Sequence, residues 1–324
     1  FKGKRRFLGE LNGLDLGKQM IKNFAELLAE AGKGDPVRIA VVLGHDPDVL
    51  ESLKVAEKLR FAEPILIGDP TRIEEAAGQV GYPLRKETIR EAGSEKTAIS
   101  SAIKMVRNGE ADLLMKGKVT TANLIRGVLD REQGLRAGKL LSQVIAFQVP
   151  GIDRLMLMTD GALNIAPNLE QKADMCRNAI ELAHAFGVKE PKVVLLAALE
   201  FVNPAMPATI DAAALVQMNR RGQIKGAFLE GPLALDTPLS KFAADRKGIN
   251  SPVVEATDVF IAPNIEAANI LYRAIVYFAR ALSGGVIVGA KVPLVLLSRA
   301  EPPETKLHSI ALAKILLRYQ KKEN

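Results

Sequence analysis

The sequence predicts an α/β protein with a mixed sheet. Three observations carry that expectation. Short apolar runs alternate with amphipathic stretches along most of the chain, one pair of runs is joined by a hairpin-like turn, and 324 residues suffice for two domains of ordinary size. In order, strands are expected at Val37 to Leu43, Pro64 to Ile67, Asp112 to Met115, Val144 to Val149, Leu155 to Met158, Val193 to Ala197, Ala227 to Leu229, Val259 to Ala262 and Leu294 to Leu297, each a compact apolar run. Apolar residues at helical spacing predict helices over Leu14 to Ala31, Asp48 to Arg60, Thr71 to Val80, Ser94 to Asn108, Thr121 to Leu129, Leu169 to Phe186, Ile210 to Asn219, Ile265 to Leu282 and Thr305 to Arg318. Pro150-Gly151-Ile152-Asp153-Arg154 separates the fourth and fifth strands and reads as a hairpin turn, which makes the sheet mixed.

Composition sets the outer limits. Hydrophobic residues make up 48% and charged residues 25%, the balance of an ordinary globular protein without low-complexity tracts or solenoid repeats. The longest apolar stretches fall far short of the roughly 18 residues a membrane span needs. Lys2, Lys4, Arg5 and Arg6 precede only Phe7 and Leu8 before Gly9, so no signal-peptide core follows them and a cytoplasmic location is expected. Phe1 is not a natural start, and the chain is open to being the end of a longer polypeptide. The formal net charge of +7 invites a nucleic-acid reading. Aromatics are only 5% with no Trp, which leaves little to stack on bases, so a small multiply charged substrate suits the excess better.

Cys176 is the only cysteine, which rules out an internal disulfide and any multi-cysteine metal site. It shares a helical face with Leu169, Ala173, Ile180 and Ala183 and reads as a core residue, whereas His184 falls on the opposite face. Three well-separated histidines do not make a metal cluster, and no metal is expected.

The densest chemistry lies near the C-terminus. Ser298, Arg299, Glu301 and Glu304 fall between the last apolar strand and the last helix. A helix start leaves backbone N–H groups without partners, and the macrodipole adds positive potential, so an anion beside Arg299 would be held twice over. Glu301 or Glu304 would accept a proton from a bound nucleophile. The competing account is a capping serine and a solvated arginine. A second turn, Lys116-Gly117-Lys118-Val119-Thr120-Thr121 with Arg126 downstream, surrounds another helix start with cations and hydroxyls. Gly117 would admit an oxyanion to the backbone, and Thr120 or Thr121 would cap the helix or donate to the anion. Asn168 with Gln171 forms a capping-box pair, and Asn264 is a natural N-cap. Capping leaves Glu230 and Asp236 without a role. In open α/β sheets such loops converge on the ligand crevice. The chain has no Gly-x-x-x-x-Gly-Lys-Ser/Thr loop, no Gly-x-Gly-x-x-Gly fingerprint and no Gly-x-Ser-x-Gly elbow, which removes support for the usual nucleotide, nicotinamide and hydrolase chemistries.

Five segments, in order, resemble the phosphate acyltransferase family of phosphotransacetylases and phosphotransbutyrylases, and its butyryl branch more closely. They are Leu114-Met115-Lys116-Gly117 with Thr120-Thr121-Ala122 and Arg126; Thr159-Asp160-Gly161-Ala162 with Asn164-Ile165-Ala166-Pro167; Glu230 to Asp236; Ala262 to Ala267 with Asn269-Ile270; and Ser298-Arg299 with Lys306-Leu307 and Ser309-Ile310-Ala311. The likeness covers roughly Val37 to Leu317.

That resemblance implies a two-domain fold of the isocitrate/isopropylmalate dehydrogenase-like type with an interdomain active-site cleft. The first domain would be residues 1–141 plus 297–324 and the second residues 142–296, the second carrying the interface of a homodimer. It implies reversible exchange of a short acyl group, acetyl to butyryl, between CoA and inorganic phosphate, by direct thiolate attack in a ternary complex. CoA is then a substrate, with no bound cofactor and no metal, nucleic acid or membrane partner. By position, Ser298 and Arg299 match the pair that engages the acyl phosphate, and Asp236 and Asn264 match cleft residues. Lys116, Thr120, Thr121, Arg126 and Asn164 complete the expected substrate-binding set. Phosphotransacetylases place an aspartate seven residues after the serine, where this chain has Thr305, so Glu304 is the expected base ahead of Glu301. Gly231 to Leu235 leans toward a butyryl substrate, and some relatives carry this domain after a hydratase-like one. The alternatives are a metal-dependent dehydrogenase of the same fold, which would want paired aspartates where only the scattered Asp236 and Asp245 stand, and a non-catalytic CoA or nucleotide sensor.

Overall fold

A computed structural model describes residues 20–298 and 300–323. The first residues of the helix expected from Leu14, the basic residues near the N-terminus, and Arg299 lie outside the described residues. In chain order the elements are α1 (Phe24–Ala31), β1 (Val37–Val42), α2 (Pro47–Lys58), β2 (Ala62–Gly68), α3 (Pro70–Val80), β3 (Ile89–Glu91), α4 (Glu95–Arg107), β4 (Leu113–Lys116) and α5 (Thr121–Val128). There follow β5 (Ser142–Gln148), β6 (Met156–Thr159), α6 (Leu169–Ala185), β7 (Lys192–Leu196), α7 (Pro207–Arg220), β8 (Phe228–Leu233), α8 (Asp236–Leu239), α9 (Lys241–Arg246), β9 (Val259–Ile261) and α10 (Ile265–Tyr277). The chain ends in β10 (Leu282–Val288), β11 (Leu294–Val295) and α11 (Pro303–Glu323). The result is a mixed α/β fold. Its described residues form two compact units: unit 1 takes those up to Gly138, Gly284–Val286 and those from Ala290 onward, and unit 2 takes Lys139–Ser283 and Ile287–Gly289.

Unit 1 orders its strands β3-β2-β1-β4-β11, each paired in parallel with its neighbours. Parallel strands are covered on both faces, so they read as continuous apolar runs, and Ile39, Val41, Leu66 and Leu114 are all fully buried. Each such side chain contributes roughly 1.5–3 kcal/mol by leaving water. The chain steps outward from β1 to β2 and β3, then returns to the other side of β1 for β4. The carboxyl ends of β1 and β4 therefore flank the point where the strand order reverses, the usual place for a ligand in an open α/β sheet. The β1–β4 register pairs Ile39 with Leu113 and Val42 with Lys116.

Short polar caps start the helices at those strand ends. Asp46 Oδ1 accepts from the backbone N–H of Asp48 at 3.1 Å and caps α2, Asp69 caps α3, Ser94 and Thr97 form a capping box on α4, and Thr120 caps α5. The 21-residue α11 packs on α1 and α2, with the His308 ring stacked on Phe24 at 4.0 Å between centroids. Every residue from Thr305 to Leu317 is buried, which removes the amphipathic stripe a surface helix would show. Lys314 lies in that interface with Nζ donating to the Asp35 carbonyl at 2.8 Å. Burial, with the nearby Arg318 charge, pushes its pKa down to about 8.

Gly117 meets a packing demand that its sequence context does not show. A Cβ there would fall 2.2 Å from the Leu43 carbonyl oxygen and 2.6 Å from that of Val42, and the Gly117 N–H donates to Val42 O at 2.9 Å. The missing side chain lets the β4 turn press against the end of β1.

Unit 2 orders its strands β5-β6-β9-β7-β8. β5 and β6 form the expected antiparallel pair, with Ile145 opposite Met158 and Phe147 opposite Met156, and the remaining pairs are parallel. Ile145, Phe147, Met158, Val194 and Phe260 share one core cluster. The Cys176 thiol is buried in the α6 core, where desolvation pushes its pKa up to about 12 and leaves it protonated and inert. His184 Nε2 lies 2.7 Å from the Gly226 carbonyl oxygen.

Apolar periodicity does not mark β10, because Ser283-Gly284-Gly285 interrupts its run and the spacing before it continues a helix to Leu282. The helix ends at Tyr277. Gly284 is needed there, since a Cβ would stand 2.9 Å from His308 Cβ on α11. Among the described residues no helix is long and apolar enough to cross a membrane.

Two outcomes follow. Gly117→Ala should destabilise the protein by about 2–4 kcal/mol, read as a lowered Tm, because the new methyl has only backbone oxygen to displace. Lys314 holds its proton more weakly folded than unfolded, so the wild-type chain gains stability between about pH 8 and the ordinary lysine value. The Tm of Lys314→Met minus that of wild type should accordingly be flat below pH 8 and fall as pH rises through that window.

Candidate active site

The β11–α11 turn is built from its ends. β11 closes after Val295, Pro303 starts the next helix, and the Glu301 N–H donates to the Ser298 carbonyl at 3.1 Å to close a tight turn. Lys116, at the last position of β4 and only 8% exposed, donates from Nζ to the Leu297 carbonyl at 3.2 Å. Lys306, 3% exposed on the first turns of α11, donates from Nζ to the Glu301 carbonyl. Two ammonium groups therefore grip the turn, one just before Ser298 and one just after it. Ser298 itself is exposed, and its Oγ accepts from the Ala300 N–H at 3.3 Å rather than capping the helix.

A small hollow opens at this turn, wholly within unit 1. Asp46, Lys116, Gly117, Ser298 and Lys306 supply its polar edge, with Val49, Met115, Val295 and Leu297 beneath. It sits at the strand-order reversal, between the ends of β1, β4 and β11. The sequence-predicted pair Lys116 and Ser298 thus meets here, and Lys306 and Asp46 are additions that sequence reasoning did not assign to the site. Lys306 carried a signal only through its place beside the Ser-Arg motif. Asp46 carried none beyond helix capping.

The two candidate bases have different surroundings. Glu301 is 4% exposed, whereas Glu304 is exposed on the first turn of α11. Thr305, the residue at the acetyl-branch aspartate position, is buried, and its carbonyl accepts from Ser309 Oγ at 2.7 Å. Thr120 and Thr121 are exposed at the start of α5, with the Thr120 hydroxyl accepting from the Asn123 N–H at 3.3 Å. Arg126 does not line the hollow. It donates to Asn123 Oδ1 at 2.9 Å and borders a separate groove with Glu95, Lys96, Ser100 and Gln133.

In unit 2 the expected residues fall into three local networks. Asn164 Nδ2 donates to Asp160 Oδ2 at 2.6 Å and to the Leu141 carbonyl at 2.9 Å. Asp160 is itself buried, and desolvation raises its pKa against the opposing pull of the Ala162 and Leu163 N–H groups and Asn164. Asp236 Oδ1 accepts from Lys247 Nζ at 2.7 Å, which holds its carboxyl below the usual range. The same ammonium reaches Glu200 at 2.8 Å, so one lysine ties the loops after β7 and β8 together. Asn264 accepts from the Ala267 N–H at 2.9 Å as the α10 cap and borders a largely apolar pocket with Leu196, Ala198, Met206 and Leu271, where Lys172 pairs with Asp211 at 2.7 Å. Glu230, without a role in the sequence, accepts from Ser251 Oγ at 3.0 Å. Among the described residues no three His, Cys, Asp or Glu side chains are grouped to hold a metal ion.

Known proteins match this chain along most of its length. The family model described as phosphate acetyl/butaryl transferase matches residues 84–314. A phosphate butyryltransferase of Clostridium beijerinckii is 43% identical over 297 residues, 92% of this chain and 98% of that one. A phosphate acetyltransferase of Thermotoga maritima is 41% identical over 292 residues, 90% of this chain and 99% of that one. Among solved structures, a branched-chain phosphotransacylase from Enterococcus faecalis is similar with a TM-score of 0.75 at 30% identity, covering 87% of this chain and 99% of that one. With a family model matched across the Lys116 and Ser298 turns and relatives above 40% identity over nine-tenths of its length, the chain belongs to the phosphate acetyl/butyryl transferase family.

Proposed function

We propose that this chain is a phosphate acyltransferase that moves a short acyl group reversibly between CoA and inorganic phosphate. The observation that supports it best is the exposed Ser298 hydroxyl at a lysine-lined hollow, on a turn inside a family of this chemistry. In the direction of acyl-CoA synthesis, the CoA thiolate forms a C–S bond to the acyl carbon. The C–O bond to phosphate breaks, and phosphate leaves with the bonding pair. Negative charge grows on the carbonyl oxygen and on the departing phosphate, and fixed cationic donors lower the energy of that state. Arg299 and Ser298 serve that role, with Lys116, Thr120, Thr121 and Arg126 binding substrate in unit 1 and Asn164, Asp236 and Asn264 in unit 2. CoA and acyl-CoA are substrates rather than resident cofactors.

An ordinary thiol is only a few per cent ionised at neutral pH, so a base that takes its proton raises the competent fraction. Glu304 suits the task better than Glu301 because its carboxylate is open to a substrate thiol, whereas Glu301 is buried. The isocitrate dehydrogenase-like fold, a homodimeric state and a cytoplasmic location belong to the same proposal. So does the lean toward butyryl over acetyl, a choice that one methylene tips by only about 1–3 kcal/mol.

Initial rates with acetyl-, propionyl- and butyryl-CoA and inorganic phosphate test the function. Release of free thiol that requires phosphate is expected, and Arg299→Ala should lower it by about two orders of magnitude. No phosphate-dependent thiol release with any of the three would reject the assignment. For Glu304→Gln the expectation is a large loss of kcat with little change in acyl-phosphate binding; unchanged turnover would remove Glu304 from the mechanism.

A further inference from the structure

The hollow at Ser298 holds a charge arrangement that the turn alone does not require. Among the described residues that line it are two buried lysines and one carboxylate, Asp46, which spends Oδ1 on the Asp48 and Val49 N–H groups as the α2 cap. Among the described residues Lys306 has the Glu301 carbonyl and, at 3.8 Å, the half-exposed carboxylate of Asp48. Burying an ammonium is costly unless charge and hydrogen bonds compensate it, and two of them beside one space repel each other. A lysine whose sole duty was to hold a carbonyl would be replaced at lower cost by a neutral donor. The arrangement suits a doubly charged anion. The hollow has room for about one water-sized group inside, so an oxyanion would place one oxygen between the ammonium groups and leave the rest at the exposed Ser298 mouth.

We propose that Lys306 is a phosphate-binding residue, and that with Lys116 it forms a lysine pair that takes one oxygen of inorganic phosphate, or of the phosphoryl group of an acyl phosphate, into the hollow beside Ser298. The assignment rests on the acyltransferase reading for the reaction it serves, but the anion site stands on this geometry. The same two side chains then have a double duty. Their backbone contacts shape the turn, and the N–H donors of Lys306 beyond the one on the Glu301 carbonyl meet the phosphate.

The test compares wild type, Lys306→Gln and Lys306→Arg, with phosphate and acyl-CoA varied separately and Tm measured with and without phosphate at constant ionic strength. Lys306→Gln should raise the KM for phosphate about tenfold or more, leave the KM for acyl-CoA within about threefold, and abolish the Tm increase that phosphate gives wild type. Lys306→Arg should restore most of both. A phosphate KM that stays put, the two KM values rising together, or a Lys306→Gln chain still stabilised by phosphate would overturn the assignment. Should the variants fail to fold, a crystal of the wild-type chain grown with inorganic phosphate decides. Phosphate oxygen at hydrogen-bond distance from Lys306 Nζ supports the pair, and phosphate bound elsewhere or not at all sinks it. Absence of acyl-CoA turnover in wild type would reject the acyltransferase reading, while the phosphate-dependent Tm would still judge the hollow.

Discussion

Two lysine-to-carbonyl hydrogen bonds hold the turn around which the chemistry of unit 1 is arranged. Lys116 reaches it from the end of β4 and Lys306 from the start of α11, and they bind the carbonyls of Leu297 and Glu301 on either side of Ser298. A tight turn of this kind has little local reason to keep one shape, since its own closing bond is a single backbone contact at 3.1 Å. Anchoring both ends on rigid elements fixes where the Ser298 hydroxyl points. Precision of this order is what transition-state stabilisation needs, because a donor displaced by an ångström loses most of its effect.

The anchors depend in turn on the sheet. Lys116 ends β4 at its correct height only because Gly117 has no side chain and slides beneath the carbonyls of Val42 and Leu43. That contact brings the ends of β1 and β4 together at the strand-order reversal, with Asp46 capping α2 on one side and Ser298 on the other. Lys306 is placed by α11, which is buried along most of its length against α1 and α2. The charges in the hollow are thus carried on a strand end and a helix, both stiffer than the turn they hold.

Unit 2 uses the same device with different partners. Asp160 gathers the N–H groups of the loop after β6 and orients Asn164, and Lys247 binds Asp236 and Glu200 from two neighbouring loops. Asp236 is thus held by an ion pair, Asn264 by a helix-end hydrogen bond and Asn164 by a buried carboxylate.

Much of this was legible in the sequence, for physical reasons that differ by element. Apolar runs marked the parallel strands because both of their faces are buried, and Asn264, Thr120 and the Asn168–Gln171 pair announced their helices because capping is a contact over three residues. The Pro150–Arg154 turn announced the β5–β6 pair for the same local reason. The five family segments were readable too, since motifs are carried by adjacent residues. What only the tertiary structure decided involves partners far apart in the chain. β10 was hidden because its glycines serve close packing against α11 rather than strand propensity. Gly117 is also required by the carbonyls of Val42 and Leu43, which its local sequence does not show. Glu301 and Glu304 stand three residues apart, yet one is buried and the other open. Lys306 joins Lys116 across 190 residues of chain to make one charged hollow. Local sequence sets what each segment can form, and long-range burial sets which of its charges face one another.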